Sequence, residues 1–173
     1  MEIRQLQSAD RAALGRFLER VPAADRTFFK EDVDDPAVVD GWALPGPARA
    51  VAVEDGEVVG SVAVVPLHGW SSHVGEVRLI VDPAQRGRGV GRALARRAVL
   101  EALDLGLQKL VVEVIAAQEP AIAMFRSLGF EPEALLTDHV RDRAGELRDL
   151  MVLSHSVEEQ WSAMIRSGVA DAV

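Results

Sequence analysis

The sequence predicts an α/β fold, α+β in finer schemes, in which helices flank a mixed, mainly antiparallel sheet. Three strand-like runs follow one another between Ala50 and Val81 with short connections, which is typical of an antiparallel meander. A helical run after Gly91 then leads to another apolar, β-branched run, Leu110–Ile115. Strand, helix and strand in that order indicate one right-handed parallel crossover.

Length and composition indicate a globular protein with a sizeable core. The 173 residues are 49% hydrophobic and 27% charged, and we expect residues 1–173 to form a single domain. The net charge of -8 argues against nucleic-acid binding and fits a cationic substrate such as an amine. Without cysteine, disulfides and a thiol nucleophile are excluded. We expect a cytoplasmic protein with no membrane partner, because no apolar run approaches membrane-spanning length.

The N-terminal third predicts one strand and several helices. These are a strand at 2–6, a helix from Ser8 to about Pro22, a short helix from Asp25 through Phe28 and Phe29, and a helix from Asp35 to Trp42. Four acidic residues in this region are expected to be solvated surface, with a cation-attracting rim as the alternative: Glu31, Asp32, Asp34 and Asp35.

The remaining elements follow from apolar periodicity and from turn residues. They are a hairpin of Ala50–Glu54 and Val58–Leu67 around Asp55-Gly56, a strand Glu76–Val81, a helix from about Gly91 to Gly106, a strand Leu110–Ile115, a helix from Pro120 to Gly129, a hairpin of 135–140 and 148–155, and a helix at about 157–168. The strand Leu110–Ile115 is nearly all apolar, so we expect both of its faces to be buried.

The junction between the third strand and its helix runs Arg86-Gly87-Arg88-Gly89-Val90-Gly91-Arg92. Its glycines let the backbone adopt conformations closed to other residues and approach a ligand closely. The positive N-terminal end of the following helix favours a bound phosphate at the same point. This stretch therefore predicts a pyrophosphate-binding loop, with a turn whose glycines serve only tight packing as the alternative.

The spacing of this loop excludes two common nucleotide motifs. Counting from Gly87, the dinucleotide fingerprint needs a third glycine where Arg92 stands, which argues against a nicotinamide-dependent oxidoreductase, and the P-loop needs a lysine that is missing. The pattern Arg86-x-x-Gly89-x-Gly91 instead resembles the coenzyme A pyrophosphate motif of the GNAT superfamily of acyl-CoA-dependent N-acyltransferases. Leu128-Gly129-Phe130 resembles the second signature of that family.

The resemblance implies a GNAT-like fold and a set of coenzyme contacts. The backbone N–H groups of Gly87 through Arg92 would hold the pyrophosphate of acetyl-CoA, with Arg86 at the start of the motif. The main chain of Leu79, Ile80 and Val81 would pair with the pantetheine arm like an added strand. The acyl group would lie in a gap between this strand and Leu110–Ile115. No metal is expected.

Two positions depart from the family pattern. Gln118 stands where many relatives have an asparagine that contacts the coenzyme arm. Phe125 stands where many relatives have a tyrosine that protonates the departing thiolate. Since the chain contains no tyrosine, that version of the mechanism is excluded.

A general base would help, because an alkyl amine with a pKa near ~10.4 is mostly protonated at neutral pH. The candidates are Glu113, inside an apolar strand, and Glu76, at the start of the preceding strand. The alternative for each is a strand-end or paired structural carboxylate, in which case a water chain or no base would serve. Weaker candidates are His68 and His73, whose loop around Trp70 is expected to border the acceptor pocket, and His139.

The sequence thus predicts an N-acetyltransferase that transfers an acetyl group from acetyl-CoA to a primary amine by direct attack. The acceptor is left open between a small amine, an aminoglycoside-like or polyamine compound, and a protein lysine or N-terminus. A homodimer is also left open. The alternative function is a catalytically silent acyl-CoA-binding regulatory module, for which Phe125 is the supporting residue.

Overall fold

The computed structural model of the chain describes residues 1–26, 29–42 and 48–157. Its elements, in chain order, are β1 (Glu2–Gln5), α1 (Arg11–Arg20), α2 (Ala23–Arg26), α3 (Pro36–Trp42), β2 (Ala48–Glu54), β3 (Glu57–Pro66), β4 (Val74–Val81), α4 (Val90–Asp104), β5 (Lys109–Ile115), α5 (Glu119–Arg126), β6 (Glu131–Arg141) and β7 (Leu147–Ser156). The expected helix at about 157–168 and Phe28 lie outside the described residues.

The strands form a seven-stranded sheet in the order β1-β2-β3-β4-β5-β7-β6. Five of the six neighbouring pairs are antiparallel, and β4–β5 is parallel, with α4 as the crossover. The predicted mixed α/β fold is confirmed. Within the described ranges, no helix is long and apolar enough to cross a membrane.

The central strands β2, β3 and β4 present residues of their two faces to two different cores. One face packs against α4 and α5 through residues such as Val62, Val77 and Val112. The other face packs against α1 and α3 through residues such as Val51 and Ile80. This alternation matters for function, because the charged residues of β4 and β5 all fall on the second face.

The parallel pair β4–β5 separates part of the way along. The ladder runs from Val74↔Lys109 to Val77↔Val112, whereas β4 stays paired with β3 as far as Val81. Beyond Val77, β4 therefore offers main-chain donors and acceptors on the side where β5 has left it. The implied gap between these strands is present.

Three expectations about local structure are wrong. β5 is buried on the α4 side, but Val111 is only partly buried and Glu113 is exposed, because that face borders a charged cavity. The described part of the short helix is Ala23–Arg26, and Phe29 is not helical. Glu31 is not solvated surface, because it turns inward to two arginines, while the neighbouring acidic residues Asp32, Asp34 and Asp35 are exposed as expected.

Candidate active site

The glycine-rich loop places the N-terminus of α4 against open space. Gly87 and Gly89 have φ angles of +77° and +86°, a conformation that favours glycine, and a Cβ at either position would meet nothing within 4 Å. Gly89 caps α4 without a side chain, and the first helical N–H groups have no acceptor inside the helix. The loop therefore fits the pyrophosphate of acetyl-CoA, whose anionic oxygens need N–H donors and room.

Gly91 serves packing instead of backbone conformation. A Cβ there would lie 3.1 Å from Sδ of Met124 in α5 and 3.6 Å from Cγ2 of Val81 in β4. The glycine thus lets the first turn of α4 pack closely beside α5 and the free end of β4. The alternative interpretation, that the glycine serves tight packing, therefore holds for Gly91. Gly87 and Gly89 instead provide the positive φ angles that set the conformation of the loop.

The arginines of the loop are bound to neighbouring side chains. Arg86 Nη2 lies 2.5 Å from Asp25 Oδ2, Arg88 Nη1 lies 3.1 Å from Glu54 Oε2, and Arg92 donates to Ser127 Oγ at 2.8 Å. These contacts hold the loop to α2, β2 and α5.

A cavity of about 150 Å³ opens where β4 leaves β5. Its lining includes residues predicted to contact the coenzyme and residues predicted to act as the general base. From the coenzyme set these are Leu79, Ile80, Arg86, Gln118 and Phe125, and from the catalytic set Glu76 and Glu113. The structure therefore brings these seven residues to one place. Val81 and the Gly87–Arg92 loop lie beyond this cavity, toward α4.

Phe125 and Gln118 come from the two ends of α5. Gln118 is the N-cap of the helix, and Phe125, 3% exposed, meets the ring of Phe130 edge-on with centroids 5.1 Å apart. The phenylalanine is thus a core residue that also forms one wall of the cavity. Packing in the core therefore accounts for an apolar side chain at this position.

The two candidate bases face a common cation, Lys30. Its Nζ lies 2.8 Å from Glu113 Oε2 and also contacts Glu76 Oε1. Burial alone would lower the pKa of Lys30, but hydrogen bonds to Glu113 and Glu76 outweigh it and raise that pKa. The lysine is therefore an ammonium at neutral pH, not a base.

The two carboxylates differ in their other contacts. Glu76 is 8% exposed and accepts two hydrogen bonds from Arg78, at 2.9 and 3.2 Å. Glu113 is 31% exposed. Glu76 is therefore held in place by a guanidinium, whereas Glu113 keeps a path to solvent.

A second charged cluster adjoins the first. Arg78 donates to Glu31 Oε1 at 2.9 Å, and Arg49 Nη2 lies 3.5 Å from Glu31 Oε2. The Arg49 side chain is 9% exposed and its guanidinium carbon lies 3.8 Å from the centroid of the Trp42 ring. Burial lowers the pKa of Arg49 to about 10, because the attraction of Glu31 only partly offsets desolvation.

Sequence reasoning missed Lys30, Arg49 and Arg78. Lys30 is one of the chain's two lysines and lies in the connection between α2 and α3, where no periodicity or motif marks it. The arginines look like ordinary polar positions of half-buried strands. The sequence signal that could have identified the two arginines is a charged residue at an inward-facing position of an otherwise apolar strand.

The histidine loop does not border this cavity. His68, Trp70 and His73 are exposed, and they precede β4 at the end where it is still paired with β5. That expectation is wrong, because the gap opens at the other end of the strand. His139 is exposed on β6 and is not part of the cavity lining.

Comparison with known proteins identifies the class. A family model described as the acetyltransferase (GNAT) family matches residues 16–130. An uncharacterized N-acetyltransferase, YjgM of Escherichia coli, is 32% identical over 157 residues, which are 86% of this chain and 94% of that protein. The mycothiol acetyltransferase of Pseudarthrobacter chlorophenolicus is 32% identical over 94 residues, 53% of this chain but only 29% of that protein.

A solved structure shows the same fold with the coenzyme bound. The phosphinothricin acetyltransferase of Sinorhizobium meliloti in complex with acetyl-CoA superposes with a TM-score of 0.75 at 22% identity, over 90% of this chain and 87% of that one. The chain belongs to the GNAT family of acetyltransferases. The resemblance predicted from its motifs is confirmed, and the protein is an acetyl-CoA-dependent acyltransferase.

Proposed function

We propose that this chain transfers the acetyl group of acetyl-CoA to a primary amine by direct attack. The observation that carries the proposal is the position of the Lys30 ammonium, held between Glu76 and Glu113 in the cavity where β4 leaves β5. This site already accommodates one primary ammonium beside the implied path of the acyl arm. It is therefore suited to hold the primary amine of an acceptor substrate.

The donor half uses main-chain groups. Backbone N–H groups of the 87–92 loop would hold the pyrophosphate, and the open edge of β4 from Leu79 to Val81 would pair with the amides of the pantetheine arm. Gln118, at the start of α5, can donate to that arm or accept from it. Acetyl-CoA supplies the activated acyl group.

Glu113 is the better placed general base. Both carboxylates contact the Lys30 ammonium, but Glu76 also accepts hydrogen bonds from Arg78 and is nearly buried, whereas Glu113 is 31% exposed and reaches solvent. The bound ammonium first gives one proton to Glu113, and the neutral amine then forms a bond to the acetyl carbon as the carbon–sulfur bond breaks. The nitrogen, positively charged after attack, passes its second proton to the departing thiolate, directly or through water, which leaves the neutral amide and the thiol. A thiol of pKa about 8.5 leaves tolerably as the anion before it takes this proton.

Turnover of acetyl-CoA against a panel of amines and peptides tests this function, with thiol release and product mass as readouts. We expect amine-dependent thiol release and an amide product. Glu131→Gln, at an exposed position of β6, is the matched control for Glu113→Gln and should behave as wild type. Binding of acetyl-CoA without transfer to any acceptor would contradict the proposal and would favour the silent binding module.

A further inference from the structure

The charged residues of the cavity form two adjacent subsites of opposite sign. Glu76 and Glu113 together hold an ammonium, and Arg49 and Arg78 together hold a carboxylate. Arg78 joins them, because its guanidinium donates to Glu76 at 2.9 Å and to Glu31 at 2.9 Å.

The sheet register explains why the two arginines converge. Arg49 and Arg78 are both paired with Ala63 of β3, from opposite sides, so the three residues form one row across three strands. Directly paired residues point to the same face of a sheet. Because alanine is small, the two longer side chains can meet above it.

The two groups that occupy the subsites are neighbours in the chain. Lys30 supplies the ammonium and Glu31 supplies the carboxylate, from the connection between α2 and α3. Each is a long side chain on a non-helical segment, partly exposed at 41% and 29%, so each can withdraw by rotation about its own bonds. An ammonium and a carboxylate from the chain itself thus occupy the two subsites.

The carboxylate subsite is incompletely satisfied by Glu31. Arg49 is buried against Trp42, yet its closest described carboxylate oxygen lies at 3.5 Å, longer than a normal charge-assisted hydrogen bond. Ser61, two residues along β3 from Ala63, lines the same cavity, and its buried hydroxyl has no hydrogen-bond partner among the described residues. Buried donors of this kind favour a better placed anion.

We propose that the acceptor is a small amino acid: its ammonium replaces that of Lys30 between Glu76 and Glu113, and its carboxylate replaces that of Glu31 between Arg49 and Arg78. This inference rests on the proposed function and narrows it to one substrate class. It distinguishes that class from polyamines and from internal peptide lysines, which carry no carboxylate near the reacting amine.

The test compares each amino acid with its own amide. Glycine, β-alanine and 4-aminobutanoate vary the separation of amine and carboxylate, and glycinamide, β-alaninamide and 4-aminobutanamide keep the amine but remove the negative charge. We expect at least one acid to exceed its amide in kcat/KM by about 10–100-fold, the range for losing a charge-assisted contact in a buried site. Equal kcat/KM values for all three pairs would overturn the inference.

Variants of Arg49 and Arg78 test whether these residues cause the preference for the acid over its amide. Arg49→Lys and Arg78→Gln should each reduce the ratio of acid to amide turnover by about 10-fold or more, while turnover of the amide persists. Arg16→Gln, which removes an exposed arginine paired with Glu57, is the matched control and should leave the ratio unchanged. A ratio unaffected in both site variants would also overturn the inference.

Glu31→Gln tests the internal mimic. Removing the competing carboxylate should lower KM for the preferred acid several-fold with little change in kcat, and should leave KM for its amide unchanged. An unchanged KM for the acid, or an equal change for acid and amide, would contradict the role given to Glu31. Amine turnover without any acid preference would refute this inference alone, whereas no turnover of any amine would refute the proposed function itself.

Discussion

The two halves of the cavity are built in different ways. The proposed donor half comes mainly from one continuous stretch, Leu79 to Arg92, which extends from the cavity to the start of α4, with Gln118 added from α5. It uses mainly backbone groups. The acceptor half comes from side chains on β2, β4, β5 and the α2–α3 connection, which meet only in the folded chain. A backbone site depends on local conformation and so appears as a motif, whereas a side-chain site depends on tertiary register and leaves little trace in the sequence.

The acceptor half should respond most strongly to loss of its base. In Glu113→Gln we expect the rate at neutral pH to fall by about 10²–10⁴-fold, because the amine is then mostly protonated and has no acceptor for its proton. The loss should shrink as pH rises toward the pKa of the free amine. The rate–pH profile of purified protein at saturating acetyl-CoA is the measurement.

Glu76→Gln sharpens the distinction between the two carboxylates. Glu76 holds Arg78 in position through hydrogen bonds. We therefore expect Glu76→Gln to lower the rate by the same factor at low and at high pH, with no recovery at high pH. The opposite pattern, with recovery in Glu76→Gln and a flat loss in Glu113→Gln, would exchange the roles assigned to these residues.

The donor half should respond most strongly to a change of backbone conformation. Gly89→Val places a branched residue at a φ of +86° in front of α4, and we expect coenzyme A affinity to fall by about 10²-fold, roughly 2.7 kcal/mol. Gly145, at +88° with equally open space in the β6–β7 turn, offers a matched control. Calorimetry should show near-normal affinity for coenzyme A in Gly145→Val. If both variants lost the same affinity, the cause would be general backbone strain and not the position of Gly89 in the loop.

Much of the fold was predictable because its signals are local. Asp55-Gly56 forms the predicted hairpin turn between β2 and β3, with β3 beginning at Glu57, and Gly106, at a φ of +68°, follows the end of α4. The prediction that both faces of β5 are buried is wrong, because Glu113 lines a cavity formed by residues that are distant in sequence. Lys30 was not predictable, since its role depends on a connection whose path no periodicity defines.

Phe125 connects the two halves, since it is buried in the core beside α4 and also lines the cavity. In Phe125→Tyr the added hydroxyl enters a site that is 3% exposed, and we expect destabilisation of about 1–3 kcal/mol unless it finds a partner. Urea denaturation measures this change. Turnover should change only modestly, and a large gain in rate would show that thiolate departure had been limiting.

The smallest expected effect concerns the charge of Lys30. Because its pKa is raised in the folded protein, its contribution to stability is fully present below the unfolded value near ~10.4 and is lost as pH rises through the folded value. The lysine is partly exposed, so we expect no more than about 1 kcal/mol. Urea midpoints of wild type and Lys30→Met should differ at pH 8, and the difference should shrink as pH rises through the raised pKa of Lys30.

Lys109→Met provides the comparison for this measurement. Lys109, the chain's other lysine, pairs with Glu133 on the surface, away from the cavity. Its variant reports alkaline effects that do not involve Glu76 and Glu113. A Lys30→Met midpoint equal to wild type at pH 8 would show that the ammonium contributes nothing to the folded cavity.

The most direct test of the central claim, that the donor and acceptor halves meet in one cavity, is a crystal structure of the protein with coenzyme A. We expect the pyrophosphate against the N–H groups of residues 87–92 and the pantetheine arm along Leu79–Val81. The sulfur should then lie in the gap between β4 and β5, on the side where Glu113 faces Lys30. A coenzyme whose sulfur lies elsewhere, out of reach of Glu113, would contradict the account.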